Sequence, residues 1–317
     1  MNESELLGDK PYPFKSGYAC ILGEPNAGKS TLLNAILGEK LSIVTPKPQT
    51  TRKQVLGIFT DEKGERPCQI IFIDTPGIMK PKYKLHKAML KFADDALDDA
   101  DALALVIDAK LYSEKRRSLK DDLAFQRLAD VQKPKILTLN KIDLLRKEDV
   151  LLLIDRLSKE AAFDEIVPLS ALKAFNVSEL IKAIYPYLPC DKPFYPSDIL
   201  SVAPERFFVS EIAREKIFTF FRKEIPYSTE VVVEAFEENH EKNPKRKDVI
   251  RCAIVVERES QKAILIGEGG AAIRKIGEAA RRDIEAFLRR PVYLELFVKV
   301  RENWREREAQ LREFGYR

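Results

Sequence analysis

Histidine and cysteine are scarce in this chain: two histidines and four cysteines stand among 317 residues. His86 and His240 have no nucleophile and no metal-ligand spacing near them, so neither is assigned a role. Cys20, Cys68, Cys190 and Cys252 are scattered and form no C-x-x-C pair. That spacing argues against a disulfide framework or structural zinc, and favours small apolar residues in a reducing compartment. Also missing is any run of about 18 apolar residues, the length a membrane-spanning helix needs. Residues 1–10 are polar and acidic, without the basic start and apolar core of a signal peptide, so a cytoplasmic location is expected. Low-complexity tracts and short-period repeats are lacking too. A large excess of one charge is absent: 54 basic residues face 50 acidic ones, a net +4, so overall charge names no partner.

What is present is material for folded cores. Apolar residues make up 45% and charged residues 33%, and the length suits two domains. Over residues 17–184, short apolar runs at 18–22, 69–73, 102–107, 135–139 and 166–169 alternate with amphipathic, helix-length segments. Near-continuous apolar strands separated by helices predict a mostly parallel sheet covered on both faces, a doubly wound α/β fold. Pro186, Pro189, Pro193, Pro196 and Pro204 are too dense for helix or central strand. The expected division is therefore a first domain at 1–190, a linker at 191–204 and a smaller α+β domain at 205–317. The second domain reads as helix, two strands, a helix broken by glycines, a long helix, a strand and a charged terminal helix packed by Trp304, Leu311 and Phe314.

Gly23, Glu24, Pro25, Asn26, Ala27, Gly28, Lys29 and Ser30 fit G-x-x-x-x-G-K-S between an apolar strand and a helix beginning near Thr31. In that context backbone N–H groups curl around phosphates, and the helix N-terminus adds a favourable dipole. Lys29 is expected to reach the β- and γ-phosphates and Ser30 to place its hydroxyl on Mg²⁺. Asp74, Thr75, Pro76 and Gly77 follow the second apolar run. Asp74 is expected to approach Mg²⁺ through water, with the Gly77 N–H on the γ-phosphate. Between these motifs lies a polar loop, residues 45–52, of the kind that orders around Mg²⁺ and γ-phosphate. Thr51 is the expected Mg²⁺ ligand, with Thr50 the alternative.

Asn140, Lys141, Ile142 and Asp143 end the fourth apolar run. The Asp143 carboxylate can accept from N1–H and N2–H₂ of guanine, whereas adenine lacks the exocyclic donor. Ser170 and Ala171 follow the fifth run, and a backbone N–H of this element is expected to recognise guanine O6. Ile78 stands where a glutamine could orient the attacking water, so slow intrinsic GTP hydrolysis is expected, with catalysis resting on Lys29, Thr51, Asp74 and Gly77.

In the second domain Gly267, Glu268, Gly269 and Gly270 match the G-x-x-G loop of a KH module, which clamps single-stranded RNA. On the following helix Arg274, Lys275, Arg281, Arg282 and Arg289 share one half, and Ile273, Ile276, Ile284, Phe287 and Leu288 the other. RNA binding is expected at the glycine loop together with Arg274, Lys275, Arg281 and Arg282.

Taken together these residues resemble the Era family of GTPases, and the resemblance runs over nearly the whole chain. Its carriers are Pro25-Asn26 with Gly28-Lys29-Ser30-Thr31-Leu32-Leu33-Asn34, then Lys47-Pro48-Gln49-Thr50-Thr51-Arg52, Asp74 to Ile78, and Asn140 to Asp143. In the second half they are Pro204-Glu205-Arg206-Phe207, Arg214-Glu215-Lys216 and Ile266 to Gly277. The resemblance implies a P-loop GTPase domain followed by a KH domain, binding of the 3′ end of 16S ribosomal RNA, and assistance to assembly of the 30S subunit. It also implies a hydrophobic residue as usual at Ile78, and K⁺ as an assisting cation for relatives with Asn at the position of Asn26. Glu268, an acid in a phosphate-facing loop, and Lys173-Ala174-Phe175-Asn176, without the usual glycine, depart from the family pattern. A monomer is expected. Peripheral contact of the charged segment 301–312 with anionic lipid is compatible with its composition and not required by it.

Overall fold

The structure, a computed structural model, describes residues 14–243 and 246–316. The N-terminal stretch read above lies outside the described residues. The chain divides into two compact units. The first comprises Met1–Ser42, Thr51–Lys80 and Leu90–Val202, and the second Ile43–Thr50, Pro81–Met89 and Ala203–Arg317.

Among the described residues the first unit is built on six strands: β1 (Lys15–Leu22), β2 (Val55–Asp61), β3 (Cys68–Asp74), β4 (Ala102–Asp108), β5 (Lys135–Asn140) and β6 (Glu165–Pro168). They lie in the order β2-β3-β1-β4-β5-β6, all pairs parallel except β2 with β3. β3 is buried along its whole length, and β4 along all but its last residue, which is why they read as near-continuous apolar runs. The chain passes from β3 on one side of β1 to β4 on the other, so the order reverses at β1. Ligands of open α/β sheets bind at the carboxyl ends of the strands beside such a point.

Helices α1 (Lys29–Leu37), α2 (Lys84–Asp99), α3 (Ala109–Glu114), α4 (Leu123–Leu128), α5 (Lys147–Glu160) and α6 (Val177–Ile184) connect the strands. Their apolar sides meet the sheet in a core that includes Leu22, Ile73, Ala93, Leu105, Leu137, Leu153 and Leu157. The edge strand β2 is not left open. The Leu200 carbonyl accepts from Ile58 N–H at 2.8 Å, and the Ser201 hydroxyl donates to the Leu56 carbonyl at 2.5 Å. Gln69 holds the same proline-rich segment, donating to the Tyr195 carbonyl and accepting from the N–H groups of Phe194 and Tyr195. A strapped edge offers no free ladder to another chain.

In the second unit α7 (Glu205–Phe220) precedes α8 (Ile225–Ser228), β7 (Glu230–Glu237), α9 (Asn239–Lys242), β8 (Asp248–Val256), α10 (Glu259–Ile266), α11 (Ala271–Leu288), β9 (Val292–Val300) and α12 (Glu308–Glu313). The sheet order is β7-β8-β9, antiparallel then parallel. Val209, Ala213, Ile217, Ile250, Ile254, Leu265, Ile276 and Ile284 form one core between this sheet and its helices. Trp304 is fully buried, donates its indole N–H to the Ser228 carbonyl at 2.9 Å, and meets the Phe314 ring edge-on at 5.5 Å.

Helix α7 buries three consecutive charged residues, Arg214, Glu215 and Lys216, which a simple amphipathic reading leaves unexplained. Each has a partner. Arg214 is held by Glu211 and donates to the Thr50 carbonyl, while Lys216 pairs with Glu215 and Asp283. Lys47 donates to the carbonyls of Phe218 and Phe221, satisfying acceptors that a helix end leaves open. Buried charges that keep all their partners are tolerated; removing one partner is what costs stability.

Candidate functional site

Four loops at the carboxyl ends of β1, β3, β5 and β6 meet in the first unit. The loop after β1 closes on itself through Lys29, whose ammonium donates to the carbonyls of Gly23 at 3.0 Å and Glu24 at 3.1 Å. Asn26 and Gly28 turn the chain through the left-handed region, at φ 65° and 97°. At Gly28 a Cβ would fall 2.2 Å from the Asn140 amide nitrogen, so that position demands glycine on two grounds. Helix α1 starts at Lys29 with no side-chain cap, which leaves its first N–H groups facing the loop.

Ser30 stands at the centre of an oxygen cluster. Its hydroxyl lies 2.7 Å from that of Thr51 and donates to Asp74 Oδ2 at 2.8 Å. Asp74 is fully buried, and among the described residues its Oδ1 has no hydrogen-bond partner. Burial pushes its carboxyl up to about 6, against the opposing pull of the Lys29 charge and the Ser30 hydroxyl. Lys29 is lowered in turn, by burial, with Asp74 acting to restore it. Two hydroxyls and a carboxylate oxygen without a partner fit a hard divalent cation of the Mg²⁺ type, held partly through water. Of the two threonines weighed above, Thr51 brings its hydroxyl here, whereas Thr50 offers its carbonyl to Arg214.

The loop after β3 runs against the phosphate loop. Ile78 N–H donates to the Gly23 carbonyl at 3.1 Å, and Thr75 Oγ1 donates to the Ile21 carbonyl at 2.8 Å. Ile78 is buried, so the position where a water-orienting glutamine was missed is filled by a packed aliphatic side chain.

The loop after β5 is fastened to the loop after β1 by two side chains. Asn140 donates to the Ala27 carbonyl at 2.9 Å, and Lys141 donates to the Asn26 carbonyl at 2.7 Å and to Asp108 at 2.7 Å. Ser170 donates to Asp143 Oδ1 at 2.6 Å, which fixes the carboxylate's direction. Of the two residues expected to offer a backbone N–H to guanine O6, Ala171 donates its N–H to Asn140 Oδ1 at 3.0 Å. In the continuation of this motif, Lys173-Ala174-Phe175-Asn176, which lacks glycine, Ala174 and Asn176 both stand in the left-handed region, at φ 49° and 58°, a conformation Asn tolerates better than Ala.

In the second unit α10 ends at Gly267 (φ 71°), and Gly269 and Gly270 (φ 55° and 78°) lead into α11. A Cβ at Gly269 or Gly270 would meet nothing within 4 Å, so the loop is open on its outer side. Glu268 is exposed there, as are Arg274, Lys275, Arg281, Arg282 and Arg289 along α11, while Ile276, Ile284 and Leu288 are buried. The Lys275 ammonium sits 4.8 Å from the Phe220 ring centre. Among the described residues no group of three His, Cys, Asp or Glu is placed to hold a metal, and no helix is long and apolar enough to cross a membrane. His86 and His240 have structural partners: His86 Nδ1 accepts from Lys82 N–H at 3.1 Å and its Nε2 lies 3.2 Å from Gln49 Oε1, and His240 contacts Asp248 at 2.8 Å.

A closed phosphate loop, a hydroxyl and carboxylate cluster and a directed aspartate define a P-loop GTPase, carried in one chain with a KH-type unit. Residues 18–141 match the family model described as a 50S ribosome-binding GTPase, and residues 224–305 match that of the KH domain. Era solved with MgGDPNP and nucleotides 1506–1542 of 16S ribosomal RNA is 41% identical over 96% of this chain and 99% of its own, with a TM-score of 0.87. An Era variant from Aquifex aeolicus bound to GDP·AlF₄⁻ is 41% identical over 95% of this chain and 99% of its own, also at 0.87. The chain belongs to the Era family, and it is a GTP-hydrolysing enzyme.

Proposed function

We propose that this protein is a Mg²⁺-dependent GTP switch that binds single-stranded RNA at the 3′ end of 16S ribosomal RNA and assists maturation of the 30S subunit. The observation that carries the nucleotide half is the meeting of Ser30, Thr51 and Asp74 beside Lys29, with Asp74 Oδ1 buried and unpartnered. Bound Mg²⁺ would neutralise charge developing on the β- and γ-phosphate oxygens. The chain's own part is to hold Ser30 and Thr51 at the cation, keep Asp74 ionised behind a bridging water, and aim the Lys29 ammonium at the phosphates. The Gly77 N–H faces the γ-phosphate, and the remaining nucleotide contacts come from residues 23–31, 74–78 and 140–143 with Ser170 and Ala171. Guanine enters against the free Asp143 oxygen, and the Ala171 N–H turns from Asn140 toward O6.

For the RNA half, the open glycine loop at 267–270 and the exposed Arg274, Lys275, Arg281 and Arg282 support the reading, as does the relative solved with 16S ribosomal RNA. The proposed extent of the domains is 1–190 and 205–317, joined by 191–204. Switching requires that GTP and RNA each alter the other's affinity by the same factor. K⁺ assists hydrolysis through Asn26, which Asn26→Asp would abolish; equal rates in Na⁺ and K⁺ contradict this. The protein works as a cytoplasmic monomer, and a lipid contact of segment 301–312 is tested by flotation with anionic vesicles.

Ultraviolet crosslinking in cell extract, with GDP or a non-hydrolysable GTP analogue, is the direct test. Fragments from the 3′ end of 16S ribosomal RNA, in yields that differ between the two nucleotides, are expected. Recovery of no ribosomal RNA overturns the RNA reading, and equal yields overturn the coupling.

A further inference from the structure

The phosphate loop contains an acid, Glu24, where electrostatics argues against one. A triphosphate is polyanionic, and Glu24 is one turn of chain from Lys29, whose ammonium rests on the Glu24 carbonyl at 3.1 Å. An unpaired carboxylate here opposes the ligand the loop is built to hold. The structure gives this carboxylate three donors. Arg117 grips it with both terminal nitrogens, at 2.7 Å and 2.6 Å, and Leu123 N–H donates to the same group at 3.2 Å.

Arg117 is itself fixed. It donates to the Asp121 carbonyl at 2.9 Å and lies over the Tyr112 ring at 5.4 Å. Tyr112 in turn donates to the buried Asp122 at 2.6 Å, and Asp122 caps α4 through the N–H groups of Ala124 and Phe125. Exposed ion pairs contribute little, but this one is two-pronged, and each side chain is only 21% exposed.

We propose that Arg117 is a positioning residue of the nucleotide site: it neutralises Glu24 and ties the first turn of the phosphate loop to residues 112–123, so that the loop's acid does not repel the triphosphate. None of the nucleotide-binding motifs contains Arg117. The inference rests on the reading of this loop as the GTP site.

The test is calorimetric titration of the full chain with GTP, GDP and GMP in Mg²⁺ buffer, for wild type, Arg117→Gln, Arg117→Lys and the double variant Glu24→Gln/Arg117→Gln. Arg117→Gln is expected to weaken GTP about tenfold, GDP less and GMP least, with the loss shrinking at high salt. The double variant should recover most of that loss, and Arg117→Lys, which keeps the charge but not the two-pronged grip, should lose less than Arg117→Gln. Circular dichroism melts show whether each variant is folded; if Arg117→Gln is not, Arg117→Lys and the double variant decide. Equal losses for all three nucleotides, or a double variant no better than Arg117→Gln, overturn the proposal. Wild type that binds no GTP overturns the reading of the site itself.

Discussion

Gly77 packs against Pro25 of the loop after β1, and its replacement by alanine isolates that contact. A Cβ built there would stand 2.8 Å from Pro25 N, 2.9 Å from its Cα and 3.0 Å from its Cγ. None of these atoms is the end of a flexible side chain, and the loop bearing them is held by the Ile78 to Gly23 and Arg117 to Glu24 hydrogen bonds. Gly77 does not lie in the left-handed region, so alanine pays no backbone strain and the clash is the whole effect. To relieve it the loops must separate by about half an ångström, which for an overpacked site costs about 1–3 kcal/mol. Misplacement on that scale between γ-phosphate and its donors should slow single-turnover GTP hydrolysis by about ten- to a hundredfold. GDP affinity, set mainly at the base and the first two phosphates, should change far less. Gly38→Ala is the control: its φ is 70° and nothing lies within 4 Å, so strain of about 1 kcal/mol is expected with hydrolysis intact. Urea denaturation and quench-flow hydrolysis on both variants read the two quantities separately. Gly77→Ala with wild-type hydrolysis and stability would refute the reasoning.

Asp248 is fully buried and accepts from the His240 N–H and ring and from Arg290, so Asp248→Ala should cost about 3–5 kcal/mol in urea denaturation. Burial works to raise this carboxyl, yet those donors outweigh it and hold it below its ordinary value. Its contribution is therefore complete above about pH 4 and is lost as pH falls through the folded value, so wild type should lose stability more steeply on acidification than the variant. Replacing both Arg281 and Arg282 by alanine should weaken single-stranded RNA uniformly and reduce the slope of log affinity against log salt by about 0.7 per residue; an unchanged slope contradicts their placement at phosphates. In contrast, GTP hydrolysis without RNA should be unaffected by that pair.

The loops that carry the proposed nucleotide motifs were legible because they follow strands, and a fully buried strand such as β3 is a near-continuous apolar run. Strand β2 was not. It carries Gly57, whose Cβ would meet Leu33 at 2.6 Å, so close packing on α1 has removed the side chain that would have marked the alternation. Charge patterning likewise hid the interior of α7, where Arg214, Glu215 and Lys216 are buried by partners distant in sequence. The same holds for Arg117, which meets Glu24 across 93 residues and belongs to no motif. By comparison the basic and apolar halves of α11 followed directly from helical periodicity, because that helix lies on the sheet with one face open to solvent. Local spacing reveals contacts within an element, whereas pairs closed by the fold need the fold.

Guanine selection by Asp143, aimed by Ser170, is the claim on which the rest depends. Calorimetric titration of the nucleotide-free protein with GTP and ATP in Mg²⁺ buffer tests it most directly. GTP should bind at least about a thousandfold more tightly than ATP, and Asp143→Ala should remove most of that preference. ATP bound as tightly as GTP by the wild-type chain would contradict the account.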